Sequence, residues 1–324
     1  MTQKALYNAL RMRYLQEPEG SIEEWKVADY RALSLEEIFS SFREYHIALD
    51  KALFKSYADQ CDGPEELAEW FIDDQELSPE EFDRFYLFIF ELWRRLMPEK
   101  PTISILCDEL DAQIFLYDEG TADNFESLQD ALSNLYSILE ENVDHGLQPQ
   151  DVLKVIVEYC AHDIEHFLYD FVAELIDQGE IDIAVEYVEQ FYPFIIDKKW
   201  FDLLRARILY IQNEKQGKAL LEEIVREAIK EEDFDFYLDL LLVLRDADCR
   251  VHFIDLAKKM LNLIDTRSDF ITFAGLVAEF FHQHKDQRAQ YLTTLLTEEV
   301  ASHISTPLTK EDPDFLTMKK LLEE

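Results

Sequence analysis

The chain has 324 residues, 48% of them hydrophobic and 13% aromatic, and a formal net charge of -38. So much apolar material excludes a disordered chain despite the charge, and a surface this negative repels phosphate backbones and anionic lipid heads, which argues against nucleic-acid and membrane partners. Only 7 residues are glycine, so tight hairpins and phosphate-cradling loops lack the residue they need at positive φ, and long helices joined by short polar turns are expected instead.

Cys61, Cys107, Cys160 and Cys249 lie far apart with no Cys-x-x-Cys pair. They read as free thiols in a reducing compartment. The first twenty residues carry no uninterrupted apolar h-region, and no stretch approaches 18 uncharged apolar residues, so a cytoplasmic chain is expected.

Helix punctuation then divides the chain. A first helix is expected from about Thr2 to Gln16, stopped by Glu17-Pro18-Glu19-Gly20. Ser34 with Glu37 forms a capping box opening one long helix, whose apolar face would be Ile38, Phe39, Phe42, Tyr45, Leu49, Leu53 and Tyr57, and which Cys61-Asp62-Gly63-Pro64 ends. Ser78-Pro79-Glu80-Glu81 is a second start signal: an N-cap serine, proline at the first helical position and acids in the first turn. The helix it opens is apolar nearly all round, from Phe82 to Trp93, and should sit deep. Met97-Pro98-Glu99-Lys100-Pro101 breaks the chain and is the expected subdomain boundary. Further helices are expected at about 102–118, 124–144 and 150–177, and helices joined by short polar turns from there to about 302. No segment alternates with period two, so no sheet is expected. The tail from Thr306, with Pro307 and Pro313, reads as a linker and a short helix from Phe315 to Leu322. Trp25, Trp70, Trp93 and Trp200 fall in apolar patterns that suggest core.

The joints of the second half recur. Gln178, Asn213, Asp248 and His284 fall 35, 35 and 36 residues apart, each ending one helix and opening the next. A period near 34 with two helices per unit is the mark of a helical solenoid. The run from Gln178 to Gln190 resembles the turn and second helix of a tetratricopeptide repeat: a Gln-Gly-acid turn leads to a small residue, Ala184, where two helices touch, and Leu168, Phe171 and Leu175 match the large apolar positions of the preceding helix. It departs from the family at Val172, Phe191 and Ile196. The resemblance covers roughly 160–302 and implies stacked antiparallel hairpins in a right-handed solenoid. The expected organisation is therefore all-α, with an N-terminal helical region over 1–100, a repeat region over 101–302 and a C-terminal linker and short helix over 303–324. It further implies that the first helix of each unit lines a concave groove for segments of other proteins, with His166, Tyr169, Ala173 and Asp177 facing it in the best-matched unit. That groove would be aromatic and acidic, suiting a basic or amphipathic ligand.

One helix carries candidate metal chemistry. His162-Asp163-Ile164-Glu165-His166 matches the H-x-x-E-H pattern of inverted zinc proteases, whose α/β context is missing here. Glu158, His162, His166 and Asp170 are four apart and would make a polar stripe able to donate metal ligands between helices, although no second Glu-x-x-His is present. A solvated or groove-lining face explains the same stripe. Nucleophile elbows, dinucleotide fingerprints and Walker loops are missing from the sequence. The expectation is a non-enzymatic adaptor, chaperone or scaffold without a cofactor, binding a protein with a basic surface. The alternatives are a helical metal-dependent enzyme using the stripe and an acidic mimic of nucleic acid.

Overall fold

The structure, a computed structural model, describes residues 1–18, 20–72, 77–120, 125–299 and 307–323. Among the described residues it is all-helical, with eighteen α-helices and no β-strand, and with an isolated antiparallel bridge between Thr266 and Pro307. In chain order these are α1 (Gln3–Gln16), α2 (Glu24–Val27), α3 (Leu35–Ser41), α4 (Lys51–Ala58), α5 (Pro64–Ile72), α6 (Pro79–Leu96), α7 (Ile103–Asp118), α8 (Phe125–Asp144) and α9 (Pro149–Val157). They continue as α10 (Ile164–Gln178), α11 (Ile181–Phe191), α12 (Lys198–Gln212), α13 (Glu214–Ala228), α14 (Phe234–Asp246), α15 (Arg250–Met260), α16 (Arg267–Gln283), α17 (Arg288–Glu299) and α18 (Pro313–Glu323). Among the described residues no helix is long and apolar enough to cross a membrane. The readings placed on Glu19 and on residues 303–306, Thr306 included, fall outside the described residues.

Two compact units result, one of Met1–Leu168 with Pro193–Ile196 and one of Tyr169–Tyr192 with Asp197–Glu324. The expected boundary near residue 100 falls inside the first of these units. The prolines there do end α6, but Trp93 Nε1 donates to the Lys100 carbonyl at 3.1 Å, and Lys100 Nζ donates to the carbonyls of Ala58 and Asp59 at 3.1 and 2.9 Å. Those bonds tie the loop into the first unit's core. The C-terminal segment is likewise no detached tail, since α18 buries Phe315, Met318 and Leu322 in the second unit and packs on α15.

In the first unit the two capping boxes form as read: Ser34 and Ser78 each accept from the third helical backbone N–H, and Glu37 and Glu81 each return a carboxylate to the cap N–H. Helix α6 is buried without a break from Phe85 to Trp93, and Phe42, Phe85 and Phe88 pack edge to face around it. The single long helix expected from Ser34 is instead α3, a short 3-10 turn and α4. Ser40 and Ser41 hydroxyls bond back to the Glu37 carbonyl, which strains helix continuation, His46 turns left-handed at φ 59°, and Asp50 caps a new helix through the Leu53 N–H. Ile38, Phe42, Tyr45 and Leu49 are still buried. Trp70, expected in the core, is exposed, its ring tilted against Tyr57 and edge to face with Phe71.

The second unit is built on four helical hairpins, α10/α11, α12/α13, α14/α15 and α16/α17, whose turns fall at the four joints read from the sequence. Three turns close alike. Gly179, Asp248 and Lys285 adopt φ of 84°, 53° and 54°, and each pairs with the following residue in the double backbone bond of a Schellman motif, the N–H groups of Glu180, Cys249 and Asp286 reaching the carbonyls of Leu175, Leu244 and Phe281. A glycine-poor chain thus places aspartate and lysine where glycine is the usual choice. The α12/α13 turn differs: Asn213 caps α13 through the Gln216 N–H, and the helices cross so closely that a Cβ on Gly217 would stand 2.3 Å from Tyr210 Cα.

Consecutive hairpins meet through both helices, α12 on α14, α13 on α14 and α15, and α14 on α16, around one apolar core running from Leu203 to Leu322. The same neighbours exchange ion pairs. Arg207 reaches Asp177, Lys199 reaches Asp233 at 2.9 Å, Arg245 reaches Glu279, and His284 Nε2 lies 2.7 Å from Asp248.

Candidate functional site

The four positions expected to face a groove lie on α10. His166 is exposed in its first turn, inside the first unit, and its backbone N–H is capped by Asp163 Oδ1 at 3.2 Å. The other three belong to the second unit. Ala173 is half-buried, and Asp177 is exposed and paired with Arg207. Tyr169 corrects the expectation of an open contact. It is only 5% exposed, its ring meets Trp200 edge to face at 5.1 Å, and Trp200 in turn meets Phe236 at 5.0 Å. Burial first, and then the Asp239 carboxylate, push its phenol well above the ordinary tyrosine range. Tyr169 is therefore a packing residue tying α10 to α12 and α14.

The polar stripe of Glu158, His162, His166 and Asp170 does not form. It needs one helix over 150–177, whereas α9 ends at Val157 and α10 starts at Ile164. The cause is Asp111 on α7. Its carboxylate accepts the backbone N–H groups of Ala161 and His162 at 2.8 and 3.1 Å, and His162 Nδ1 lies 2.9 Å from Oδ1. Those amides are consequently held in a turn, while Asp163 caps the new helix. Glu158 and His162 thus precede α10, and Glu165, the would-be base of the H-x-x-E-H pattern, accepts the Ile196 N–H at 2.9 Å. No group of three or more His, Cys, Asp and Glu able to hold a metal ion occurs among the described residues.

A different place in the second unit gathers acid around apolar surface. Helix α13 presents Leu220, Ile224 and Ala228 along one stripe and Glu223 and Glu227 along the next, continued by Glu231 just beyond its end. Spacing by four puts each series on one helical face. The apolar stripe and Phe236 floor a cleft of about 250 Å³, whose rim is Glu223, Glu227, Glu231 and Asp202. Among the described residues Lys199 is the one cation lining it. Its ammonium is already gripped by Asp197, Asp233 and Glu231 at 3.0, 2.9 and 3.5 Å. Burial opposes its charge, but the bonds to Asp233 and Asp197 hold it above the ordinary lysine range. Lys230 also pairs with Glu227 at 2.7 Å and Arg205 with Asp202 at 3.1 Å, so three cations face the four rim carboxylates, and a small surplus of negative charge remains over an apolar floor, an arrangement that attracts a cationic amphipathic surface.

Sequence reasoning missed this cleft because it weighed the first helix of each hairpin as groove-lining and left the second helices unread. The signal was present in the interleaved series Leu220, Ile224, Ala228 and Glu223, Glu227, Glu231. The chain matches no family model, no curated protein and no solved structure.

Proposed function

We propose that the chain is a non-enzymatic protein-interaction module, an adaptor, chaperone or scaffold of the cytoplasm, that takes up a basic amphipathic segment of another protein. Its second unit is read as a tetratricopeptide-like right-handed solenoid. Support for that reading comes from hairpins at near-constant spacing, three turns of one geometry and ion pairs repeating between successive hairpins. The observation that carries the functional reading is the acid-rimmed apolar cleft on α13. Burial of apolar side chains supplies affinity there, and the carboxylates select for lysine and arginine on the guest and speed its approach.

The test is fluorescence anisotropy with a synthetic amphipathic helix carrying Lys and Arg along one edge of its apolar face. Binding should weaken as salt rises and fall by roughly tenfold or more when Glu223, Glu227 and Glu231 are all replaced by lysine. A peptide of identical composition, scrambled to abolish its apolar face, should bind weakly. Equal binding of both peptides, or indifference to the triple replacement, would reject the cleft as the site.

A further inference from the structure

Among the described residues three ion pairs join the α14/α15 hairpin to the α16/α17 hairpin: Arg245 with Glu279, Arg250 with Asp286 at 3.3 Å, and His284 with Asp248 at 2.7 Å. A guanidinium keeps its charge at every pH a protein ordinarily meets, whereas an imidazole changes charge near neutrality. The third pair is therefore the one a proton can switch.

The His284 ring is held on both sides. Nδ1 lies 2.7 Å from the carbonyl oxygen of Phe280, one turn back in α16, and Nε2 lies 2.7 Å from Asp248 Oδ1. A carbonyl and a carboxylate have no proton to give, so each nitrogen has to donate. Turning the ring over would set carbon against both oxygens, which fixes the nitrogens where they are. The Phe280 ring, 4.3 Å away, adds an aromatic face suited to a cation. Two N–H groups exist only on the imidazolium.

Other charges around the ring are engaged elsewhere. Arg245 of α14 holds Asp246 and Glu279, Arg250 of α15 and Arg288 of α17 share Asp286, and Lys218 of α13 holds Glu214 at 2.8 Å. Glu222 of α13 acts on Cys249, next to Asp248. On the stretch that carries the ring, His282 and Lys285 are exposed. Asp248 is the carboxylate in direct contact with His284.

We propose that His284 is a proton-operated clamp between the last two hairpins, closed while its ring is doubly protonated and released when the ring is neutral. A neutral ring has a single N–H. The Phe280 carbonyl is fixed in α16 and keeps that proton on Nδ1, so the Nε2 lone pair confronts the Asp248 carboxylate. The Asp248 side chain is 68% exposed and turns out to water. Asp248 is also the left-handed residue that closes the α14/α15 turn, at φ 53°, so the release is felt at that turn. The clamp is complete at the acid end of the range in which imidazoles titrate, about pH 5 to 8, and opens as pH rises through it. The two arginine pairs hold throughout, so the junction loosens without parting.

Nitrogen-15 NMR of the imidazoles and amide hydrogen exchange, on the full chain at pH 5.5 and pH 8, test this. At pH 5.5 both ring N–H protons of His284 should be visible, as hydrogen-bonded N–H groups are and those exchanging freely with water are not. The Cys249 and Asp286 amides, corrected for intrinsic rate, should exchange roughly fivefold more slowly at pH 5.5 than at pH 8, a modest effect in keeping with an exposed carboxylate. Asp248→Asn tolerates the left-handed turn and presents an amide that can accept from Nε2 or donate to it, so the bond survives in both states and the pH dependence should vanish. His282→Gln, which removes the other histidine of α16, should leave the pH dependence intact. A missing ring proton on His284 at pH 5.5, equal pH dependence in the native chain and Asp248→Asn, or loss of the effect in His282→Gln would each overturn the clamp.

Discussion

The two units spend their charged residues differently. In the first, partners distant in sequence converge on two buried carboxylates of α7: Asn8 on Asp111 across 103 residues, Arg31 on Asp108 across 77 and His162 on Asp111 across 51. In the second, the pairs recur between neighbouring hairpins at separations of 30 to 36 residues, each at least partly exposed. A convergent centre makes stability depend on a few residues, whereas a repeated one spreads it over nearest-neighbour contacts of similar size. The largest expected effect follows. Asp108→Ala leaves Lys4 and Arg31 without their buried counter-charge and should cost about 3–5 kcal/mol. Arg245→Ala, which removes two exposed pairs of the second unit, to Asp246 and Glu279, should cost at most about 1 kcal/mol. Urea unfolding, with hydrogen exchange reporting on each unit separately, checks the ratio; equal losses would erase the contrast.

Within the second unit the α12/α13 hairpin stands apart from the other three, since its closure depends on contact between helices and not on a left-handed residue. Gly217→Ala would drive a methyl group into the Tyr210 backbone at 2.3 Å, and backbone cannot step aside as a side-chain tip can. Overpacking of this kind costs about 1–3 kcal/mol, and the damage should show as faster amide exchange in α12 and α13. An unchanged urea midpoint would mean that the helices can part without penalty.

How far the sequence revealed these features follows the same division. The joints at Gln178, Asn213, Asp248 and His284 could be read because each turn is closed by residues within a few positions of it, and the capping boxes at Ser34 and Ser78 could be read for the same reason. The interruption of the helix at 158–163 could not. Local propensity favours continuing there, and the carboxylate that captures the Ala161 and His162 amides stands some fifty residues upstream. The mistaken metal stripe is the direct consequence of that distant capture. Tyr169 failed differently: it was read as facing an open groove, but its ring is buried against Trp200 and lies beside Asp239, both of which belong to later hairpins.

A glycine with the opposite surroundings sharpens the comparison with Gly217. Gly275 sits in the interior of α16 with nothing within 4 Å of an added Cβ. Replacing it by alanine removes the excess backbone entropy of a helical glycine and should stabilise the chain by about 0.5–1 kcal/mol. Loss of stability instead would show that α16 needs the gap its neighbours leave there. Paired measurement of Gly217→Ala and Gly275→Ala in one background should therefore give shifts of opposite sign.

The smallest effect tests whether the inter-hairpin ion pairs act as charges at all. Asp286 is bound by the Arg288 guanidinium and faces Arg250 of the preceding hairpin at 3.3 Å. The hydrogen bond from Arg288, reinforced by both guanidinium charges, draws its carboxyl down to about 2, below the roughly 3.9 of an unfolded chain. A depressed carboxyl stabilises the fold above the unfolded value and ceases to do so as pH falls through the folded one. The urea midpoint of the native chain should thus exceed that of Asp286→Asn at pH 6, with the gap closing between about pH 4 and pH 2. A gap independent of pH would assign Asp286 a role in turn geometry through its bond to the Arg288 N–H, and would leave the second unit's ladder of ion pairs without an energetic function at this rung.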